Sequence, residues 1–152
     1  MKICVIGLGY IGLPTAAMFA ASGNQVVGVD RNPKIVEALN QGKITIEEKG
    51  LDQLVRQVVE NGALRGSAVP EQADAFIIAV PTPITADKKA DMSYVIASTE
   101  NIVPYLKAGD IIILESTSPV GTVDQLMIPI LESSGLHIGE ELYVGHSPER
   151  VI

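Results

Sequence analysis

The chain has 152 residues, 47% of them hydrophobic, and a formal charge of -7 at pH 7. That length fits one domain with a substantial core, and the apolar content excludes a disordered segment. The acidic balance argues against nucleic acid as a partner, because a phosphate backbone needs a basic face.

One cysteine, Cys4, allows no internal disulfide and suits a reducing cytoplasm. The opening "MKICVIGLGYIGL" is apolar but broken by glycines and lacks a cleavage site, so it does not read as a secretory leader. No run approaches the roughly 18 to 20 apolar residues of a membrane span, and no membrane partner is expected.

"KICVIG" (2–7) is a continuous apolar run of strand length. A small, apolar helix is expected over Tyr10–Ser22, with Pro14 in its first turn and Gly23 as a left-handed stop. "QVVGVD" (25–30) is the second strand. The helix over 32–42 has Asn32 as N-cap, Pro33 at its first position and Gly42 as its stop. A further helix over 51–62 carries apolar residues at 51, 54, 55, 58 and 59, a helical stripe. "LRGSAV" (64–69) is a weaker strand, and "AFIIAV" (75–80) a strong one. "TADKKADM" (85–92) reads as a surface loop in which Lys88 and Lys89 are solvated. Helices follow over 92–106 and 123–135, each shortened or kinked by its proline, Pro104 and Pro129. "DIIILES" (110–116) and "LYVGHS" (142–147) complete six strands.

Continuous apolar strands, as opposed to alternating ones, indicate burial on both faces. The order β-α-β-α-α-β-β-α-β-α-β therefore predicts an α/β fold. It is a Rossmann-type, doubly wound, mainly parallel six-stranded sheet with helices on both faces, one domain over 1–152.

"GLGYIG" (7–12) is a G-x-G-x-x-G pattern between the first strand and the first helix. The second strand ends at Asp30, eighteen residues after Gly12. In that context the pattern is a dinucleotide fingerprint. Gly7 allows the tight turn, Gly9 lets the backbone approach the pyrophosphate, and Gly12 lets helix and strand pack closely. Asp30 accepts from ribose hydroxyls and repels a 2′-phosphate, which favours NAD over NADP. Arg31 has two roles open to it, stacking on adenine or pairing with a phosphate; Asp30 in front of it favours the adenine side.

Seven segments, "GLGYIGLP", "GVDRN", "LNQGKITIEEKGL", "AVPTP", "ADMSYV", "ESTSPVGT" and "SPERV", resemble in order and spacing the nucleotide-sugar 6-dehydrogenases, the UDP-glucose/GDP-mannose dehydrogenase family. "IAVPTP", "ILESTSPVGT" and "PERV" are most similar to the branch acting on UDP-N-acetyl-D-mannosamine. The resemblance covers nearly the whole chain. It implies an enzyme that oxidises C6 of a UDP-sugar to a carboxylate with two NAD+ and no metal. It also implies a continuation beyond "PER": a long dimerising helix, which makes the full-length enzyme a homodimer, and a second domain with the nucleophilic cysteine and most sugar contacts. This chain alone is then expected to be inactive.

The resemblance also assigns roles. Tyr10 and Ile11 in the glycine turn, and Pro81 and Thr82 in "VPTP", lie against the cofactor. Thr117 holds the reacting oxygen or the hydrolytic water, and Gly121 and Thr122 open the next helix. Glu149 acts as the acid–base residue on water, and Arg150 pairs with substrate or with Glu149. Plainer readings stand beside these: a strand-ending turn for Thr82, a capping hydroxyl for Thr117, a salt-bridged surface turn for Glu149 and Arg150. Cys4, inside the first strand, reads as a small buried hydrophobe and not as the nucleophile. His146 reads as a strand-end polar residue, not a general base, and His137 lies in a loop without a signal. No His, Cys, Asp or Glu cluster has metal-ligand spacing. A free-standing NAD-sensing module, or a dehydrogenase of another substrate, is the alternative function.

Overall fold

The computed structural model describes residues 1–148. Strand β1 (Lys2–Ile6) is flanked by β2 (Gln25–Val29) and β4 (Ala75–Ile78). β3 (Leu64–Ser67) lies outside β2, and β5 (Asp110–Leu114) and β6 (Leu142–His146) lie beyond β4. The order is β3-β2-β1-β4-β5-β6, and every pair is parallel. The sheet is thus wholly parallel where the sequence pattern promised mainly parallel. The chain leaves β1 toward one edge and returns to β4 on its other side. The crevice between the carboxyl ends of β1 and β4 is the place where such sheets bind ligands.

Alternation along β1 feeds two cores. Ile3 and Val5 join one with Leu13, Ala16, Ala17, Val55 and Val58. Cys4 and Ile6 join the other with Phe76, Ile78, Val95, Met127 and Leu131. Helices α1 (Gly12–Ala21), α2 (Pro33–Asn40) and α3 (Leu51–Glu60) cover the first face; α4 (Ser93–Ile102) and α5 (Ile128–Glu132) cover the second. α1 buries Leu13 together with the small residues Gly12, Ala16, Ala17 and Ala20. The small residues let its backbone come close to the turn and the end of β4.

The elements depart from the sequence reading at their ends. α1 starts at Gly12, not Tyr10, because Gly7 to Ile11 are used by the turn. Asn32 caps α2 as expected, accepting from Lys34 N at 3.1 Å. Both prolines act as their chemistry requires. α4 ends at Ile102 and a 3-10 turn, Val103–Tyr105, takes in Pro104. The expected helix over 123–135 divides into a π-helical stretch, Val123–Met127, and α5, with Pro129 in the first turn of the latter. The loop after β4 is exposed and hydrogen-bonded within itself. Thr85 Oγ1 donates to the Lys89 carbonyl at 2.9 Å and accepts from Lys89 N at 3.1 Å, and Lys88 sits at φ 61°.

At the amino ends of the strands, Glu71 bridges β1 and β3. It accepts from Lys2 Nζ at 3.0 Å and from Arg65 Nη2 at 2.5 Å. Arg65 first, and then Lys2, holds the Glu71 carboxyl below its ordinary 4.5. A carboxylate depressed in the folded state stabilises it above the unfolded pKa, and that contribution is lost as pH falls through the folded value. Thermal melts followed by circular dichroism should therefore show a midpoint that falls as pH drops below 4.5. Glu71→Gln should lower the midpoint at neutral pH and flatten that acid slope. A variant with the wild-type slope would show that the bridge carries none of it.

Candidate dinucleotide site

The strand ends are aligned: Ile6 pairs with Val29 and with Ile78, and Ile78 with Leu114. The next residue of each strand, Gly7, Asp30, Ala79 and Glu115, therefore falls in one row along the carboxyl edge. All four line one cavity of about 870 Å³, a size that accepts a large ligand.

The turn after β1 is built on two steric demands. Gly7 has φ 93°, and a Cβ there would meet the Ala79 carbonyl oxygen at 2.6 Å. A Cβ on Gly12 would meet the Gly7 carbonyl oxygen at 1.8 Å. Gly9 is different: nothing lies within 4 Å of where its Cβ would be, and it faces the cavity. α1 has no side-chain N-cap bond and no acidic residue in its first turn. Leu13 N and Thr15 N bond back to the Gly9 and Ile11 carbonyls at 3.1 Å, so what the amino end of α1 offers an anion is chiefly its positive partial charge.

Asp30 follows β2 and ties it to this turn. Its Oδ2 accepts from Leu8 N at 3.0 Å and its Oδ1 from Asn32 N at 2.8 Å. A carboxylate offers about four acceptor positions, so each oxygen retains one for a ribose hydroxyl. Arg31 lies over the Tyr94 ring of α4, 4.9 Å from its centroid. Arg31 lines the cavity, and its partner within the chain is an aromatic ring.

The loops after β4 and β5 are tied to each other. Thr82 Oγ1 donates to the Thr117 carbonyl at 2.5 Å, and Ser116 Oγ to the Val80 carbonyl at 2.8 Å. His146, the last residue of β6, brings its Nε2 to 3.0 Å from the Ser116 carbonyl. A carbonyl only accepts, so Nε2 carries the proton. That ring nitrogen ties the loop after β5 to the end of β6. Thr117 is exposed on the cavity wall. It stands well before the helical stretch that Thr122 opens, so it is not that helix's cap.

The sequence-assigned residues Gly7, Gly9, Tyr10, Ile11, Asp30 and Arg31 all line this cavity, as do Pro81, Thr82 and Thr117. Gly12 does not; it is buried behind the turn and acts through packing. Glu149 and Arg150 lie outside the described residues. Cys4 is fully buried, and burial pushes its thiol up to about 11, which leaves no thiolate at neutral pH. Two cavity residues, Glu115 and Tyr94, and the partner of one of them, Thr15, went unread in the sequence. Glu115 accepts from Thr15 Oγ1 at 3.0 Å, and Tyr94 carries Arg31. Asking which residue follows the last buried position of each strand finds Glu115. Thr15 and Tyr94 come from helices packed on opposite faces of the sheet, and no local pattern signals them.

A fold, a glycine turn, an uncapped helix end and an acidic acceptor in one cavity fit a dinucleotide, and comparison with known proteins agrees. The family described as "UDP-glucose/GDP-mannose dehydrogenase family, NAD binding domain" matches residues 1–152. A UDP-N-acetyl-D-mannosamine dehydrogenase of Campylobacter jejuni is 49% identical over 99% of this chain and 39% of its own length. An NDP-N-acetyl-D-galactosaminuronic acid dehydrogenase of Ralstonia solanacearum is 48% identical over 99% of this chain and 37% of its own. The solved UDP-N-acetyl-mannosamine dehydrogenase of Staphylococcus aureus superposes with a TM-score of 0.96 at 46% identity, over 100% of this chain and 37% of that one. The chain thus spans under two-fifths of the length of these relatives. NAD is the cofactor that the family description and the site agree on.

Two measurements test the site. Hydrogen bonds to a charged group contribute about 1.5 to 3 kcal/mol, so calorimetric titration should show NAD binding at least about tenfold tighter than NADP. Equal affinities would mean that Asp30 does not contact the ribose. Gly12→Ala should destabilise the fold by about 3 kcal/mol or more in urea unfolding, because overpacking here is against backbone. A loss under about 1 kcal/mol would show that α1 can slide away from the turn.

Proposed function

Because the chain belongs to the UDP-glucose/GDP-mannose dehydrogenase family through its NAD-binding domain, we propose that it is the cofactor half of an enzyme that oxidises C6 of a UDP-sugar to the uronate with two NAD+. The proposed sugar is UDP-N-acetyl-D-mannosamine, supported by the names of the relatives from Campylobacter jejuni and Staphylococcus aureus. The Ralstonia solanacearum relative, almost equally similar, keeps another N-acetylated sugar as the second reading. The proposed full-length enzyme is a cytoplasmic homodimer of polysaccharide biosynthesis.

The observation that carries the proposal is the Thr82–Thr117 tie beside the dinucleotide turn. A module that only sensed NAD would need the turn and Asp30. It would have no use for a hydroxyl-rich loop pinned at the strand edge. NAD+, when bound, supplies the acceptor for the hydride leaving C6. The chain's own residues then divide the remaining work. Gly9 and the amino end of α1 take the pyrophosphate, and Asp30 takes the ribose. Thr82 fixes the Thr117 backbone, which presents the Thr117 hydroxyl toward the reacting oxygen or a water. Glu149 takes the proton of the water that releases the product, and Arg150 pairs with substrate. The resemblance to the family implies a nucleophilic cysteine in a second domain of the full-length enzyme; Cys4 is sealed in the core.

Two experiments follow. This chain, incubated with NAD+ and each candidate nucleotide sugar, should form no NADH; clear turnover would remove the need for a second-domain nucleophile. In the full-length enzyme, Glu149→Gln keeps the shape but cannot take a proton, and general-base catalysis is typically worth about 10² to 10⁴-fold. The variant should release a burst of NADH and then stall, with the sugar on its cysteine visible by intact-protein mass spectrometry. Wild-type turnover without an adduct would make Glu149 a surface residue.

A further inference from the structure

Arg31 stands next to the residue that repels a 2′-phosphate, yet its own charge would attract one. Both residues line the same cavity. A nearby arginine is how folds of this kind accept the phosphate of NADP. What decides between the two is where the guanidinium is held. It is not held by Asp30, whose two oxygens accept from the backbone of Leu8 and Asn32. Among the described residues Arg31 makes no ion pair. It lies across the cavity, 4.9 Å from the centroid of the Tyr94 ring. That ring is on a firm base. Tyr94 is in the first turn of α4, where Asp91 Oδ1 accepts from Ser93 N at 2.9 Å and the neighbouring Val95 is fully buried.

We propose that Tyr94 is a specificity-determining residue for the dinucleotide: its ring holds the Arg31 guanidinium on the α4 wall and so withholds it from a 2′-phosphate beside Asp30. Asp30 then acts with its charge unneutralised. Discrimination is shared between a repelling carboxylate on β2 and a sequestering ring on α4. The proposal rests on NAD binding alone and not on the sugar reaction.

The test is a double-mutant cycle read by calorimetric titration of this chain with NAD+ and with NADP+. A cation–π pair at a partly exposed site corresponds to about a twofold to fivefold change in an equilibrium. Tyr94→Leu should raise NADP+ affinity relative to NAD+ by that factor. Tyr94→Phe keeps the ring face and should keep the wild-type ratio. With Arg31→Ala in the background, Tyr94→Leu should leave the ratio unchanged. Tyr94→Gln serves as a second ring-deleting variant if the leucine variant does not fold. An unchanged ratio in the ring-deleting variants overturns the proposal. So does the same shift with Arg31 absent, which would mean that the ring acts on the cofactor directly. A shift in Tyr94→Phe would overturn it in favour of the hydroxyl.

Discussion

The structure depends on one close approach. The first residue of α1 sits so near the turn after β1 that a single added carbon at Gly12 would lie 1.8 Å from the Gly7 carbonyl oxygen. Gly7 in turn leaves no room for a side chain against Ala79 at the end of β4. Helix, turn and two central strands are therefore in backbone contact at the switch point of the sheet. The alanine face of α1 continues that contact along its length. Its consequence for function is directional: the end of α1 that has no side-chain cap and carries the positive partial charge is placed at the crevice.

The cavity joins a positive helix end to an acidic strand end. The positive helix end is central, next to Gly9, where a pyrophosphate has room. Asp30 lies at the end of β2, where ribose hydroxyls need an acceptor. The Asp30 carboxylate holds Leu8 and Asn32 in place, and each of its oxygens keeps an acceptor position for a ligand. Its oxygens are oriented before any ligand arrives, so little ordering remains to be done on binding.

On the other side of the crevice, stiffness comes from side chains bonding to neighbouring backbone. Parallel strands end together here, and their last carbonyls would otherwise face water. Ser116 serves the carbonyl of Val80, Thr82 that of Thr117, and His146 that of Ser116. Three successive strand ends, β4, β5 and β6, are thereby linked, and the loop that carries Thr117 is positioned by both of its neighbours.

Much of this was legible in the residues. Buried parallel strands need apolar runs on both faces, so "KICVIG" and "AFIIAV" announced themselves. The glycine turn and Asp30 were legible because their chemistry is local: a tight turn needs glycine, and a strand end puts an acid at a fixed distance along the chain. Cys4 was rightly read as core for the same reason. The element ends were less legible, because the turn used Gly7 to Ile11 before α1 could begin, and because Pro129 left a π-helical stretch before it. What the chain order could not reveal was which residues meet. Glu115 meets Thr15 across 100 positions, and Arg31 meets Tyr94 from a different layer. Those contacts follow from strand order and helix placement, which only the packed sheet sets, and so it was tertiary structure that turned separate motifs into the walls of one cavity.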